Sequence, residues 1–357
     1  MPSALIVPPP HATLSLMKQE IHVVTGASGR TGLALCSELH SQGLSVRALY
    51  YRDEQFVPFL KQYADEVRYV DITSPESVSA ALEGAAYVYH LAGIVSIASK
   101  MDPVLEAVNI TGVQYVIDAC LSLGVKRLVY TGTVHTLPFS DNATVLREIP
   151  RFDPDAVSGA YAVSKAIGSN MVLDAVKDRG LDAVIGMPSG IVGGFELKRS
   201  NFGQMVVDVA ERRLPVYITG RYDFVDVKDV AKALADLATL GVCGESYILS
   251  GHILPVKELV QTSARAAGVK PPKICLPLAF VKLFAGIAER TALRKGQTLM
   301  FTPYALKVLG DNCNFSHEKI TALTGYAPRP LEEALKDQVE FYLQVYKKNF
   351  PTQKQKK

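Results

Sequence analysis

The sequence predicts an α/β fold in which a doubly wound parallel sheet is followed by a smaller, mostly helical C-terminal lobe. Short apolar runs alternate with helical patterns from residue 21 to residue 188, and three glycines spaced three apart follow the first run. Beyond Pro188 the alternation weakens. Strands separated by helices pair in parallel through right-handed crossovers, so the alternating part predicts the sheet.

The elements follow one another in a regular order. IHVVT is the first predicted strand, RTGLALCSELHSQG is a helix that we expect to end at Gly43, and LSVRALYY is the second strand. Later strands are predicted in EVRYVD, AAYVYHLAG, KRLVYTG and LDAVIGMP, and later helices in SPESVSAALEG, EAVNITGVQYVIDACLSLG and the stretch around residue 161. YDFVDVKDVAKALADLATLG then resumes a strand followed by a helix.

These patterns divide the chain. We expect a disordered tail over 1–19, a dinucleotide-binding domain over 20–188 joined by 226–250, a substrate lobe over 189–225 and 251–345, and a basic tail over 346–357. The longest apolar run, at 274–288, contains Pro277 and Lys282 and is shorter than the ~20 residues that a membrane span needs. We therefore expect no membrane span and interpret this run as a buried or lid helix.

The composition excludes several classes of protein. The net charge of +3 arises from 38 basic and 35 acidic residues without a basic stripe, so nucleic acid is not an expected partner. The five cysteines form no C-x-x-C pair, which predicts free thiols and a cytoplasmic location. The seven histidines show no metal-ligand spacing, so no metal site is expected.

A glycine-rich loop, TGASGRTG, directly follows the first strand. Gly26, Gly29 and Gly32 would permit a tight turn, close approach of backbone N–H groups to a pyrophosphate, and close packing of helix on strand. Because a helix opens behind this loop within a βαβ pattern, the loop predicts dinucleotide binding.

The cofactor choice depends on the end of the second strand. That strand ends without an acidic residue, and we expect Arg52 and Arg30 near a 2′-phosphate, which favours NADP over NAD. In the alternative interpretation Arg52 is a solvated residue that pairs with Asp53 or Glu54.

The segment YAVSK places Tyr161 and Lys165 four residues apart, on one face of a helix. The segment alone does not distinguish chemistry from packing. It occurs, however, in one ordered series with TGASGRTG, Asp71 and Ile72, HLAG, VNITG, YTGT, MPSGIVG and FVDVKDVA. By this series, residues 21–345 resemble the extended short-chain dehydrogenase/reductase family, in its dihydroflavonol reductase and 3β-hydroxysteroid dehydrogenase-like branch.

The resemblance implies a Rossmann domain and assigns roles to its residues. Tyr161 would be the general acid or base, with a pKa drawn down by the Lys165 ammonium and the oxidised nicotinamide, and Lys165 would also bind the nicotinamide ribose. Thr133 would polarise the substrate oxygen, with Thr131 as its competitor. The resemblance assigns the cofactor contacts to Ser28, Arg30, Thr31, Asp71, Ile72, Leu91, Ala92, Gly93, Pro188, Gly190 and Ile191, besides the glycines, Arg52 and Lys165.

Two of these assignments have structural alternatives. Asn109 either keeps Lys165 hydrated or bends its helix, and a simple polar contact between helices would explain it equally. Asp71 is expected near the adenine, or as the N-cap of the helix that begins in SPESV.

The reaction has three interpretations. Nucleotide-sugar epimerases and dehydratases usually place an arginine where this chain has Tyr222, with Arg221 one residue earlier on the opposite face of the strand. We therefore favour net reduction or oxidation of a small, fairly apolar ketone or alcohol over an epimerase or dehydratase. A non-catalytic dinucleotide sensor is the third interpretation. His135 and Tyr222 are tentative substrate contacts.

Two long helical stretches, 101–123 and 157–179, match those that form a four-helix dimer interface in such proteins. The resemblance thus implies a homodimer.

Overall fold

The computed structural model describes residues 20–96, 100–138, 141, 143–283 and 303–350. The predicted tail 1–19, residues 284–288 of the apolar run and residues 351–357 lie outside this description.

A seven-stranded parallel sheet forms the larger domain. Its order is β3-β2-β1-β4-β5-β6-β10, so the chain reverses direction across the sheet between β1 and β4. Ligands of such sheets bind outside the carboxyl ends of the strands at this reversal. The strands are β1 (Ile21–Thr25), β2 (Ser45–Tyr50), β3 (Glu66–Tyr69), β4 (Ala85–His90), β5 (Arg127–Thr131), β6 (Ala183–Pro188) and β10 (Ser246–Leu249).

Helices cover both faces of this sheet. Residues of α1 and α8 form one core with the sheet, and residues of α3, α5 and α6 form the other. Burial on both faces explains why the strands read as continuous apolar runs, and every residue of β6 is buried. The helices of this domain are α1 (Arg30–Ser41), α2 (Val57–Leu60), α3 (Pro75–Leu82), α4 (Pro103–Glu106), α5 (Gly112–Ser122), α6 (Ala160–Arg179) and α8 (Val227–Leu240).

The smaller lobe is mostly helical, as predicted, and also contains two small sheets. One has the order β11-β9-β7, from His252–Pro255, Arg221–Asp226 and Gly190–Val192; the other pairs β8 (Val216–Ile218) with β12 (Ile274–Leu276). The two sheets themselves were not predicted, because four of their five strands have only three or four residues and are too short to show a period of two. The lobe helices are α7 (Asn201–Ala210), α9 (Val256–Ala266), α10 (Pro303–Val308), α11 (Glu318–Thr324), α12 (Leu331–Phe341) and α13 (Lys347–Asn349).

Two predicted boundaries also move. The apolar run begins as strand β12, and its helical conformation starts only at 278 and continues to 283. The predicted basic tail begins too early, because α13 is helical and the Phe350 ring lies 5.3 Å from the Phe56 ring of the larger domain.

One helical stretch of the described chain, Pro103–Ser122, has the length and apolarity of a membrane span, with 44% of it buried. Its α5 part packs against α3 and α6. The core helix of a globular domain has the same length, apolarity and packing.

Candidate active site

The glycine loop forms a cradle that side chains would fill. Gly26 has a φ of 68°, and a Cβ there would lie 2.8 Å from the Ala92 backbone nitrogen. A Cβ at Gly32 would lie 2.2 Å from the Gly26 carbonyl oxygen. The loop leads into α1, and the first turn of α1 contains no acidic residue. The backbone N–H groups at the start of α1 can therefore donate hydrogen bonds to an anion. These residues fit the pyrophosphate of a dinucleotide.

Arg30 is not where the sequence placed it. Its guanidinium pairs with Glu196 of the lobe and donates a hydrogen bond to the Ile191 carbonyl oxygen. Arg30 thus points from the first turn of α1 towards the lobe and not to the end of β2. Thr31, the next residue of α1, is half-buried.

The end of β2 does supply a carboxylate, contrary to the sequence interpretation. Asp53 is buried, accepts a hydrogen bond of 2.7 Å from Ser28 Oγ of the glycine loop and pairs with Lys198 of the lobe. Arg52 has a φ of 51° and an exposed side chain, whose guanidinium lies 4.8 Å from the centre of the Tyr51 ring. Arg52 therefore lies in solvent, and the cation that contacts Asp53 is Lys198.

The segments after β3 and β4 complete the cofactor-facing edge. Asp71 accepts hydrogen bonds from the backbone and hydroxyl of Thr73, whereas Ser74 is the N-cap of α3, so the N-cap alternative for Asp71 was wrong. The backbone nitrogens of Leu91 and Ala92 each donate to Thr25 Oγ1 at 3.1 Å. Thr25 thereby fixes the backbone opposite Gly26.

Ile72 and Gly93, two more of the expected cofactor contacts, lie in tightly packed surroundings. Ile72 is buried, and a Cβ at Gly112 would lie 2.8 Å from its Cγ2. A Cβ at Gly93 would lie 3.6 Å from Lys165 Nζ. The segment after β4 therefore lies directly beside the lysine of the YAVSK segment.

Tyr161 lies in the first turn of α6, beside Thr133. Both side chains line the same cavity, and Thr133 Oγ1 accepts from the His135 backbone nitrogen at 3.3 Å. Burial raises the pKa of Tyr161 to about 12, and the nearby Thr133 side chain opposes this rise. The expected lowering requires the charge of the oxidised nicotinamide in addition to that of Lys165. Thr131, the competitor, has a buried Oγ1 with no hydrogen-bond partner in the described chain.

Lys165 lies one turn further along α6 and is almost fully buried. Its Nζ donates to the Thr131 carbonyl oxygen at 2.8 Å and to the Tyr130 hydroxyl at 3.5 Å. The ammonium also lies 4.7 Å from the centre of the Tyr130 ring. Burial lowers the pKa of Lys165 to about 8. The sequence reasoning missed Tyr130, because its apolar strand context predicts only a core residue.

Asn109 occupies a π turn, Ala107–Thr111, between α4 and α5. Its side chain accepts from the Ile94 backbone nitrogen at 2.8 Å and donates to the Ile94 carbonyl oxygen at 2.9 Å and to Ser164 Oγ at 3.0 Å. The helix irregularity and the polar contacts that were offered as alternatives therefore occur together. Asn109 ties the segment after β4 to α6.

A cavity of about 550 Å³ opens between the two domains. Tyr161 and Thr133 line it from the larger domain, and most of its other described walls are apolar. Volumes of this size hold small organic ligands. The apolar walls are Val95, Pro188, Ile191, Phe202, Met205, Leu214, Val216, Ile218, Phe224, Val256, Leu259, Val308 and Leu309.

His135 and Tyr222 both line this cavity. Their rings stack at 5.8 Å, and His135 Nε2 shares a hydrogen bond of 3.2 Å with the Tyr222 hydroxyl. Burial lowers the pKa of His135 to about 4, so its ring is neutral at physiological pH. The His135 ring also contacts Tyr161 edge-on at 6.4 Å.

Gly190 lines the cavity and also packs on β9. A Cβ there would lie 2.9 Å from the Asp223 carbonyl oxygen, so close approach of two strands explains this glycine. The sequence reasoning missed the walls supplied by α7 and by the end of α10. The available signal was the helical spacing of the apolar residues Phe202, Met205, Val206 and Val209 in α7.

No cluster of metal-ligating side chains occurs within the described ranges. The described site presents hydroxyl groups, Lys165, His135, Arg199, backbone N–H groups and apolar walls.

The sequence was compared with known protein families and proteins. The model of the NAD dependent epimerase/dehydratase family matches residues 22–249. This chain belongs to that family. It is 27% identical to sterol demethylase protein B of Methylococcus capsulatus, over 90% of this chain and 97% of that protein. It is 24% identical to a putative dihydroflavonol 4-reductase of Synechocystis, over 89% of this chain and 93% of that protein.

The solved structures agree with the fold. The crystal structure of the protein called gox2253 superposes with a TM-score of 0.77 at 28% identity, covering 91% of this chain and 98% of that chain. The family resemblance and the doubly wound fold predicted from the sequence are both confirmed.

Proposed function

We propose that this family member is an NAD(P)-dependent oxidoreductase that interconverts a ketone and a secondary alcohol on a small, fairly apolar substrate. The observation that carries the proposal is the position of Tyr161 and Thr133 at the wall of a large, mainly apolar cavity. The names of the two relatives, a sterol demethylase component and a reductase, are consistent with an apolar substrate.

The chemistry divides between the cofactor and the chain. A bound nicotinamide supplies the hydride acceptor or donor. With a pKa of about 12, Tyr161 is protonated at physiological pH and can donate its proton to the substrate oxygen during reduction. Thr133 lines the cavity beside Tyr161 and presents its hydroxyl to the same oxygen. In the oxidative direction Tyr161 first loses its proton to solvent, and its phenolate then accepts the proton of the substrate alcohol.

Lys165 and Asn109 position the cofactor and the Tyr161 hydroxyl. The Lys165 ammonium is anchored at the Thr131 carbonyl oxygen, close to Gly93, where it can bind a ribose hydroxyl and stabilise negative charge on Tyr161. Asn109 holds the Ile94 backbone against α6. Cofactor and proton donor are thereby held against the same cavity.

The residues of β9 in the lobe argue against a nucleotide-sugar substrate. Tyr222 is hydrogen-bonded to His135 at the cavity wall, and Arg221 on the opposite face of β9 is exposed. Neither residue provides the phosphate-binding arginine expected at this strand of an epimerase.

We also propose a preference for NADP. Lys198 neutralises Asp53 beside the glycine loop, and the exposed guanidinium of Arg52 follows directly after Tyr51 at the end of β2. A carboxylate that is already paired and an exposed guanidinium at the same strand end favour a 2′-phosphate over a hydroxyl group.

A homodimer in the cytoplasm completes the proposal. The outer side of the α4–α5 stretch includes Val104, which is 63% exposed, and a partner subunit would cover it. Sedimentation velocity at micromolar protein concentration tests the dimer.

The decisive experiment is a substrate panel. Steroid ketones, flavanonols, their alcohols and uridine diphosphate sugars are each assayed with NADPH, NADH and the oxidised cofactors by absorbance of the reduced nicotinamide. We expect stoichiometric consumption of NADPH with an apolar ketone. Conversion of a nucleotide sugar with no net change in nicotinamide absorbance would contradict the proposal.

A further inference from the structure

Arg199 is the one charged side chain among the described residues that line the apolar cavity. It lies in the segment before α7, whereas Tyr161 and Thr133 belong to the larger domain. A guanidinium in such surroundings needs a physical explanation, because a charge beside apolar walls is unfavourable unless it is paired.

The guanidinium is held in place. It lies 4.4 Å from the centre of the Tyr346 ring and 5.4 Å from that of Tyr342. One terminal nitrogen donates to Gln204 Oε1 at 3.1 Å, and Gln204 is itself bonded to Asp208 at 2.8 Å. Stacking and a neutral hydrogen bond fix the plane of the side chain without neutralising its charge.

The neighbouring carboxylate is already engaged. Glu196 pairs with Arg30 and accepts from the backbone nitrogen and hydroxyl of Ser200. Within the part of the chain that the structure describes, Arg199 has no ion pair, and its buried Nε has no hydrogen-bond partner. Arg199 therefore retains a positive charge that no described carboxylate neutralises.

We propose that Arg199 binds a carboxylate of the substrate, so that the substrate is an apolar oxo acid. This inference rests on the proposed function, since it places the ketone at Tyr161 and the carboxylate at Arg199. A guanidinium presents N–H donors in a planar fork that matches a carboxylate.

A matched pair of ligands tests this. Dehydrolithocholate carries a ketone at one end of an apolar skeleton and a carboxylate at the other, and its methyl ester differs only in lacking the charge. Binding of both is measured by calorimetry with saturating NADP⁺, and KM is measured with NADPH. We expect the wild-type protein to prefer the acid by about tenfold to a hundredfold.

The variant Arg199→Met retains an unbranched apolar chain and removes the charge. It should lose the preference for the acid while its affinity for the ester stays unchanged, and Arg199→Lys should keep part of the preference. Arg221→Met is the matched control, because it removes the same charge from an exposed position and should keep the full preference.

The outcomes separate the two proposals. Turnover of both ligands with equal affinity in the wild-type protein would refute the role of Arg199 and leave the oxidoreductase intact. A fall in NADPH affinity in Arg199→Met would assign Arg199 to the cofactor and also refute it. Conversion of uridine diphosphate glucose, with neither ketone bound, would refute the oxidoreductase and with it this inference.

Discussion

The two walls of the active site are constructed in different ways. On the cofactor side, backbone atoms meet at distances that leave no room for a methyl group, as at Gly26 and Gly32. On the substrate side, side chains from several lobe elements surround a cavity of about 550 Å³. Changes in the first wall should therefore affect folding and cofactor binding, and changes in the second should affect which substrate fits.

The largest expected effect lies where the two walls meet. Tyr161→Phe keeps the ring but removes the proton donor, so kcat should fall by about a hundredfold to ten-thousandfold. Cofactor affinity, measured by NADPH fluorescence, and thermal stability should stay close to the wild-type values. A kcat within a few-fold of wild type would mean that another group transfers the proton.

The second prediction compares one substitution in each wall. Gly32→Ala should lower the free energy of unfolding by about 3 kcal/mol, because the new methyl group overlaps the Gly26 carbonyl oxygen. Met205→Leu, at the cavity wall, should cost less than about 1.5 kcal/mol and change KM instead. Urea denaturation and steady-state kinetics measure the two quantities. Equal stability losses would remove the distinction between the walls.

The third prediction concerns the edge of the cofactor wall, where exposed side chains replace backbone. Arg52→Ala should weaken NADPH binding by about tenfold to a hundredfold and leave NADH binding unchanged. The guanidinium would contact the 2′-phosphate, which NADH lacks. Arg212→Ala, another exposed arginine, is the control and should change neither affinity. Equal weakening for both cofactors would show that Arg52 supports the loop after β2.

The smallest expected effect is the pH dependence of stability. The pKa of Lys165 is about 8 in the folded chain against an ordinary value of 10.5, so between these values the unfolded chain binds more protons. The free energy of unfolding of the wild-type protein should therefore rise with pH relative to Lys165→Met. Between pH 7 and 9.5 the relative gain should be about 2 kcal/mol.

Urea denaturation of both proteins across this range measures the gain. A difference that does not vary with pH would show that Lys165 keeps an ordinary pKa. The same variant should also lose turnover and cofactor affinity.

The sequence predicted the cofactor wall better than the substrate wall, and the physical reason is visible in particular residues. Gly26 and Gly32 meet local backbone demands that a short motif records. Asp53, in contrast, is bound by Ser28 and by Lys198, which is distant in sequence, and no local pattern predicts such a contact.

Arg30 shows the same limitation, because its partner Glu196 belongs to the lobe. The lobe strands could not be predicted since β7, β8 and β12 have three residues each. Arg199 has no motif at all, and only the folded cavity shows its position.

The π turn at Asn109 makes the number of residues in this helix part of the site. An α-helix turns the chain by about 100° per residue, so the extra residue of the turn sets the angle between everything before Ala107 and everything after Thr111. Deleting one residue there would restore a regular helix and rotate α4 by that angle relative to α5. The Asn109 amide could then no longer face Ile94 and Ser164 together. Relatives of this chain that lack one residue at this position should therefore also have a different residue in place of Asn109. We expect this even where the rest of the helix is similar in sequence.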